Sequence, residues 1–201
     1  MNGEQDALSA GWAQRYRDEQ IGWDRGAPSP ALEHWISAGA IQQGDWLIPG
    51  CGQGWEVDRL AGLGCRVTAI DIVPVALARV RARLDALQLQ ARLIEADVLG
   101  WTPDAPFDGI YEQTCLCALH PSSWAAYETQ LHRCLRPGGS LLALFMQTGR
   151  AGGPPFDSPL ALMRELFAPS RWEWPQETPQ RWPHPSGLHE LAVRLRRLDT
   201  A

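Results

Sequence analysis

A doubly wound α/β sheet, mostly parallel and with helices on both faces, is the fold class this sequence predicts, and three observations predict it. Short β-type runs alternate with amphipathic helical patterns through the middle of the chain. A glycine-rich turn separates the first of those runs from the helix after it. The segment Ser140-Leu-Leu-Ala-Leu-Phe-Met146 is almost wholly apolar, as a strand buried on both faces must be.

The elements follow in order. Residues 1–40 hold two helical patterns, one over Ala7–Asp18 and one opened by Ser29-Pro30, with serine as N-cap and proline at the first helical position. Asp45–Pro49, Arg66–Asp71 and Ala91–Glu95 read as the first three strands. Between the second and third, Leu77, Val80, Leu84 and Leu87 fall on one helical face while Arg79, Arg81 and Arg83 point elsewhere. Phe107–Tyr111 is a fourth strand, followed by a helix whose Trp124, Tyr127, Leu131 and Leu135 share a face. Arg136-Pro-Gly-Gly139 stops that helix and turns into the apolar strand at Ser140. A Gly/Pro loop from Gly149 to Pro155 precedes a helix near Pro159 to Phe167. Two late strand-like stretches come last, ending in Leu188–Leu198, where Leu191, Val193 and Leu195 alternate. Strand and helix in alternation argue right-handed crossovers.

At roughly 150 residues per domain, a chain of 201 residues is expected to form one domain over 1–201, with 1–40 as an N-terminal helical extension. Its composition, 45% hydrophobic and 20% charged, suits a globular core. A net charge of −5 offers no footprint for nucleic acid or an anionic membrane surface. No apolar run approaches the ~18 residues needed to span a bilayer, and Met1-Asn2-Gly3-Glu4 opens no leader, so a cytoplasmic protein is expected. Five cysteines, Cys51, Cys65, Cys115, Cys117 and Cys134, are an odd number in apolar or glycine-rich settings and read as reduced thiols. Cys115-Leu116-Cys117 lacks a partner pair at zinc spacing, so no metal is expected. All 18 basic residues are arginine, which removes any Schiff-base lysine.

Pro49-Gly50-Cys51-Gly52-Gln53-Gly54 lets a ligand approach the backbone and the start of a helix. Asp71 ends the adjacent strand, where a carboxylate accepts from both ribose hydroxyls of a nucleoside; a surface aspartate beside a structural turn is the plainer alternative. A dinucleotide site would want G-x-G-x-x-G, but the position of the third glycine holds Trp55. The pattern G-x-G-x-G instead suits S-adenosylmethionine, which carries no phosphate. Asp97-Val98, after the third strand, is placed to meet an adenine, or else to cap a loop.

These residues resemble the thiopurine methyltransferase-like family, which includes plant and bacterial thiol, thiocyanate and halide methyltransferases. The resemblance rests on Gly22-Trp23-Asp24-Arg25-Gly26 with Pro28 and Pro30, on Ile48 to Gly54, on Ile70-Asp71-Ile72, and on Phe107-Asp108 through Cys117-Ala118-Leu119-His120-Pro121. It continues through Leu135-Arg136-Pro137-Gly138-Gly139 and Gly152-Gly153-Pro154-Pro155-Phe156. It implies a class I, Rossmann-like methyltransferase sheet of seven strands with the last antiparallel, an N-terminal helical lid, and transfer of the methyl group of S-adenosyl-L-methionine to a soft nucleophile. Carried over by position, Trp12, Tyr16 and Trp23 become aromatic contacts to the cofactor, whose sulfonium attracts aromatic faces. Gly50, Gly52, Gly54, Asp71, Ile72, Asp97 and Val98 become cofactor positions, and Glu112 and Gln113 face cofactor and acceptor at the end of the fourth strand. Gln113, where the family varies between Tyr, Arg and others, is assigned to positioning the acceptor.

Methyl transfer is an in-line displacement at an already activated carbon, so positioning supplies much of the rate. A thiol of pKa ~8.5 is partly thiolate at neutral pH, which makes a dedicated base optional. The resemblance, together with the lack of a lysine or of a histidine placed to serve as base, makes a small thiol or a halide-like nucleophile the expected acceptor. The alternatives are O- or N-methylation of a secondary metabolite and a catalytically silent cofactor-binding protein. His120, ahead of Pro121, reads as a turn residue rather than a base, and Cys115 and Cys117 as apolar core.

Overall fold

The computed structural model describes residues 2–199, with side chains from Ser9 onward. Two helices precede the sheet, α1 (Asn2–Arg17) and α2 (Pro30–Ser37). Ser29 caps α2, its side chain accepting from the Ala31 N–H. The parallel part runs β1 (Asp45–Pro49), α3 (Trp55–Gly62), β2 (Arg66–Asp71), α4 (Pro74–Leu87), β3 (Arg92–Glu95), β4 (Phe107–Gln113), α5 (Cys115–Ala118), α6 (Trp124–Cys134) and β5 (Leu135–Gln147). After α7 (Leu160–Leu166) come β6 (Trp172–Glu173), β7 (Gln180–Pro183) and β8 (His189–Arg197).

The spatial order is β3-β2-β1-β4-β5-β8-β6, with β8 antiparallel to β5 and with β6 and β7 antiparallel to β8. This seven-strand path, with the chain's last strand antiparallel, is the expected one. β7 is an addition: β6 pairs the far end of β8 at Arg196 and Arg197, which leaves His189 to Ala192 free for the hairpin strand. The late part of the chain thus holds three strands rather than the expected two. Period-two alternation sends Leu141, Ala143 and Phe145 to a core under α6 and α7, and Leu142 and Leu144 to a second core under α2, α3 and α4. Burial on both faces explains why β5 reads as continuous apolar sequence.

Three expectations are corrected. Leu87 is 54% exposed although Leu77, Val80 and Leu84 of its stripe are buried, because it is the last residue of α4. Leu135 belongs to β5, having left the helix with extended backbone at ψ 148°. Arg136–Gly139 is a bulge inside β5, which steps from Leu135 opposite Phe107 to Ser140 opposite Gly109. No helix among the described residues is long and apolar enough to cross a membrane.

Strand order reverses at β1, which pairs β2 on one side and β4 on the other. The crevice beyond the carboxyl ends of β1 and β4 is where such sheets bind ligands.

Candidate active site

At the end of β1 the chain turns through Gly50–Gly54 into α3. Cys51 N–H donates to Ile70 O at 3.0 Å and Gly54 N–H to Cys51 O at 2.8 Å, stitching the loop to β2. Asp71 completes the stitching: Oδ2 accepts from Gly52 N–H at 2.8 Å and Oδ1 from Val73 N–H at 2.9 Å. Burial raises the Asp71 pKa, while the N–H donors pull it down. Gly54 sits at φ +68°, and a Cβ there would lie 2.5 Å from Val80 Cγ2, so both backbone conformation and the approach of α4 demand glycine.

Trp-Asp-x-Gly packs onto this loop from the N-terminal side. Asp24 Oδ1 accepts from Trp55 Nε1 at 2.8 Å and from Gly26 N–H at 2.9 Å, tying the motif to the first residue of α3. The Arg83 guanidinium lies 4.2 Å from the Trp55 ring centroid. Trp23 meets Trp12 and Tyr16 edge-on at 5.5 and 5.9 Å. Tyr16, 4% exposed, packs with Ile72, Val73 and Ala76. Arg25 Nη2 donates to Pro183 O at 2.7 Å, reaching the β7 hairpin, and Ser29 N–H donates to Glu56 Oε1 at 2.9 Å.

The third wall is the end of β4. Gln113 Oε1 accepts from the Tyr111 hydroxyl at 2.7 Å, and its Nε2 donates to Glu190 Oε2 on β8 at 2.8 Å. Burial raises the Glu190 pKa to about 8. Glu112, expected to face the cofactor, instead points to the opposite face of β4, where its Oε1 accepts from Leu116 N–H at 2.7 Å at the start of α5, and burial raises its pKa to about 7. Thr114 stands at φ +62°, a strained conformation for a β-branched residue, at the mouth of the cleft.

The resulting cleft is lined by Trp23, Gly50, Gly52, Gly54 and Gln113 among the expected residues. Arg25, Trp55, Glu56, Tyr111 and Thr114 also line it, and none of these was singled out as a site residue from sequence. Asp71 lies behind the glycine loop, and Trp12, Tyr16 and Ile72 belong to the adjoining aromatic cluster. Asp97 and Val98 are outside the lining: Asp97 Oδ1 accepts from Leu99 N–H at 2.9 Å, and Val98 is core. His120 Nδ1 accepts from Ser122 N–H at 3.3 Å and caps a turn, the role read from sequence. All five cysteines are buried and unbonded to one another, and burial raises the pKa of Cys51, Cys115 and Cys117.

Tyr111 was legible in principle, because period two puts it on the face of Gln113. Glu190 was not, since its meeting with Gln113 depends on two strand registers, Gln113 opposite Leu144 and Met146 opposite Glu190.

The residues fit S-adenosylmethionine. An aromatic cluster suits its sulfonium and a carboxylate at the end of β2 suits its ribose. The loop is open only because it is glycine: a Cβ on Gly52 would project to 3.3 Å from the Tyr16 hydroxyl, filling the cradle between loop and aromatic cluster. Fold and site together define a class I S-adenosylmethionine-dependent methyltransferase.

Comparison with known proteins agrees. The model of the thiopurine S-methyltransferase (TPMT) family matches residues 7–180. A probable thiol methyltransferase 2 of Arabidopsis thaliana is 29% identical over 168 residues, 82% of this chain and 74% of its own. A structure solved for the conversion of a disulfide bond into a thioacetal group during echinomycin biosynthesis superposes with a TM-score of 0.79 at 28% identity, over 95% of this chain and 93% of that one. The 1,6-didemethyltoxoflavin-N1-methyltransferase of Burkholderia thailandensis, solved with S-adenosylhomocysteine, superposes with a TM-score of 0.77 at 24% identity, over 99% and 91%. The chain belongs to the TPMT family.

Proposed function

We propose that this protein transfers the methyl group of S-adenosylmethionine to the sulfur of a small thiol, with halide-like anions as secondary acceptors. The observation that carries the acceptor class is the make-up of the cleft: no imidazole or amine stands among the lining residues, and the one cation, Arg25, lies with the carboxylates Asp24 and Glu56 beside a wall of Tyr111, Gln113 and Thr114. With no imidazole or amine to take a proton, the cleft suits an acceptor that ionises by itself, as a thiol does. The family supports the same choice. The bound cofactor supplies a methyl group already activated by a positive sulfur. This chain's residues then bind, orient and exclude water, with no covalent intermediate.

In this reading Trp12, Tyr16 and Trp23 cover the sulfonium, and the backbone of Gly50, Gly52 and Gly54 lies against the cofactor. Asp71 with Ile72 holds the ribose, Asp97 and Val98 hold the adenine, Glu112 braces the end of β4, and Gln113 positions the acceptor. Residues 1–201 act as one methyltransferase domain, with 1–40 as its cover. Its five unpaired cysteines favour a cytoplasmic location.

The test is incubation with methyl-labelled cofactor and a panel of thiols, iodide, phenols and amines. Thiol methylation should rise with pH and show an inflection that follows the acceptor, shifting between two thiols whose pKa values differ by about two units. Methylation of phenols or amines with none of thiols or iodide overturns the proposal.

A further inference from the structure

Gln113 is held from both sides by groups of different character. The Tyr111 hydroxyl lies 2.7 Å from Oε1 and a carboxylate oxygen of Glu190 lies 2.8 Å from Nε2. An ionised carboxylate only accepts, so it dictates which end of the amide faces it, and the Tyr111 hydroxyl must then donate to the other end. Both anchors are buried, Tyr111 at 1% exposure and Glu190 at 0%, whereas Gln113 itself lines the cleft. Glu190 Oε1 has no partner among the described residues. Leaving an acceptor unpaired at such depth costs stability, more for a charged group than for a neutral one. Packing alone gives no reason for a carboxylate at the start of β8.

We propose that Glu190 is a positioning residue for methyl transfer, its buried carboxylate locking the Gln113 amide in the orientation that offers the second Nε2 hydrogen to the acceptor. The inference rests on the cleft over Gln113 being the acceptor site. A thiolate or halide poised for in-line attack has lone pairs to spare, and one N–H fixes its direction. Protonation of Glu190 removes the lock, because a carboxylic acid can donate to Oε1 of a reversed amide, and Tyr111 would then accept from Nε2.

The surroundings of Glu190 put this change near pH 8, so the lock forms as pH rises through that value. Burial raises its pKa to about 8, the bond from Gln113 and the charge of Arg25 pull it down, and Glu112 and Glu56 push it up. Cys117 on α5 and Tyr111 face it as well, and burial keeps both neutral. Arg181 and His189 pair with each other at 3.3 Å on the exposed side of the hairpin.

The test compares wild type with Glu190→Gln, which preserves shape. In the complex with S-adenosylhomocysteine, the side-chain amide signal of Gln113 in nitrogen-15 NMR should shift with a midpoint near pH 8 in wild type and stay constant in the variant. With whichever acceptor is methylated, Glu190→Gln should lower kcat/KM about tenfold above pH 8, where Glu190 of wild type is ionised, the loss of one oriented hydrogen bond. It should also abolish an inflection that, unlike that of a thiol, does not move when the acceptor is changed. Affinity for S-adenosylhomocysteine should be unchanged, which separates positioning from a general loosening of the site. A Gln113 signal that ignores pH in wild type, a variant with the wild-type kcat/KM and inflection, or an equal loss of cofactor affinity each overturns the proposal. If no thiol or iodide is methylated, the thiol reading falls by itself, and the proposal is then decided by the NMR titration and by Glu190→Gln kinetics on the acceptor that is used.

Discussion

Asp71 shows how one residue serves two purposes. Its two oxygens already accept from Gly52 and Val73, yet each carboxylate oxygen has a second acceptor position to offer a ribose. Replacing Asp71 by Asn sets an amide against one of those N–H donors and removes the charge. Affinity for S-adenosylhomocysteine should fall by roughly 2–3 kcal/mol in calorimetry. Unchanged affinity in a folded Asp71→Asn protein would put the nucleoside elsewhere. Gly54 makes a different demand. Gly54→Ala forces a side chain into φ +68° and against Val80, and should cost more than about 2 kcal/mol in chemical denaturation. Shortening Val80 in the same chain should recover only the steric part, since the backbone strain stays. Additive losses in the double variant would show that the two residues do not collide.

At the scale of an element, β4 delivers one polar side chain to each face at its end. Gln113 goes to the cleft and Glu112 to the interior, where Glu112 accepts from Leu116 N–H. The folded protein holds a proton on Glu112 up to about pH 7, against an ordinary value of 4.5. Between those values the unfolded chain binds fewer protons, so this group's contribution is fully present below the ordinary pKa and is lost as pH rises to about 7. The slope is at most about 1.4 kcal/mol per pH unit. Glu112→Gln keeps the acceptor for Leu116 and should flatten that part of the decline, read as the difference in urea midpoint between variant and wild type across the range. A parallel decline in both proteins would mean that Glu112 is ionised throughout. The other elements were legible because their patterns are local: Asp45–Pro49 and Arg66–Asp71 form strands over the expected residues. Leu87 and Leu135 failed where a local pattern ran past the point at which the helix, or its packing, ends.

Over the whole molecule, the two ends of the chain close over the sheet. α1 lays Trp12 and Tyr16 beside Trp23 and the end of β2, Arg25 reaches Pro183, and His34 stacks near Trp182 at 5.7 Å. On the proposed reading, a ligand gripped between this cover and the glycine loop would hold the cover shut. Trypsin cleavage at Arg15, Arg17 and Arg25 should slow by up to about a hundredfold at a hundred times the dissociation constant of S-adenosylhomocysteine, if cutting requires opening. Equal cutting rates with and without ligand would dismiss the cover. The sequence by itself determined the parallel sheet, the glycine loop and the acidic residue beside it, and the motifs of the family, because each is written in neighbouring residues or in a period of two or 3.6. It named Gln113 but neither of its anchors. Only the tertiary structure brought Glu190 to Gln113 and Arg25 to the β7 hairpin, since those meetings lie 77 and 158 positions apart in the chain. They follow from strand register and the antiparallel turn of β8, which no local pattern records.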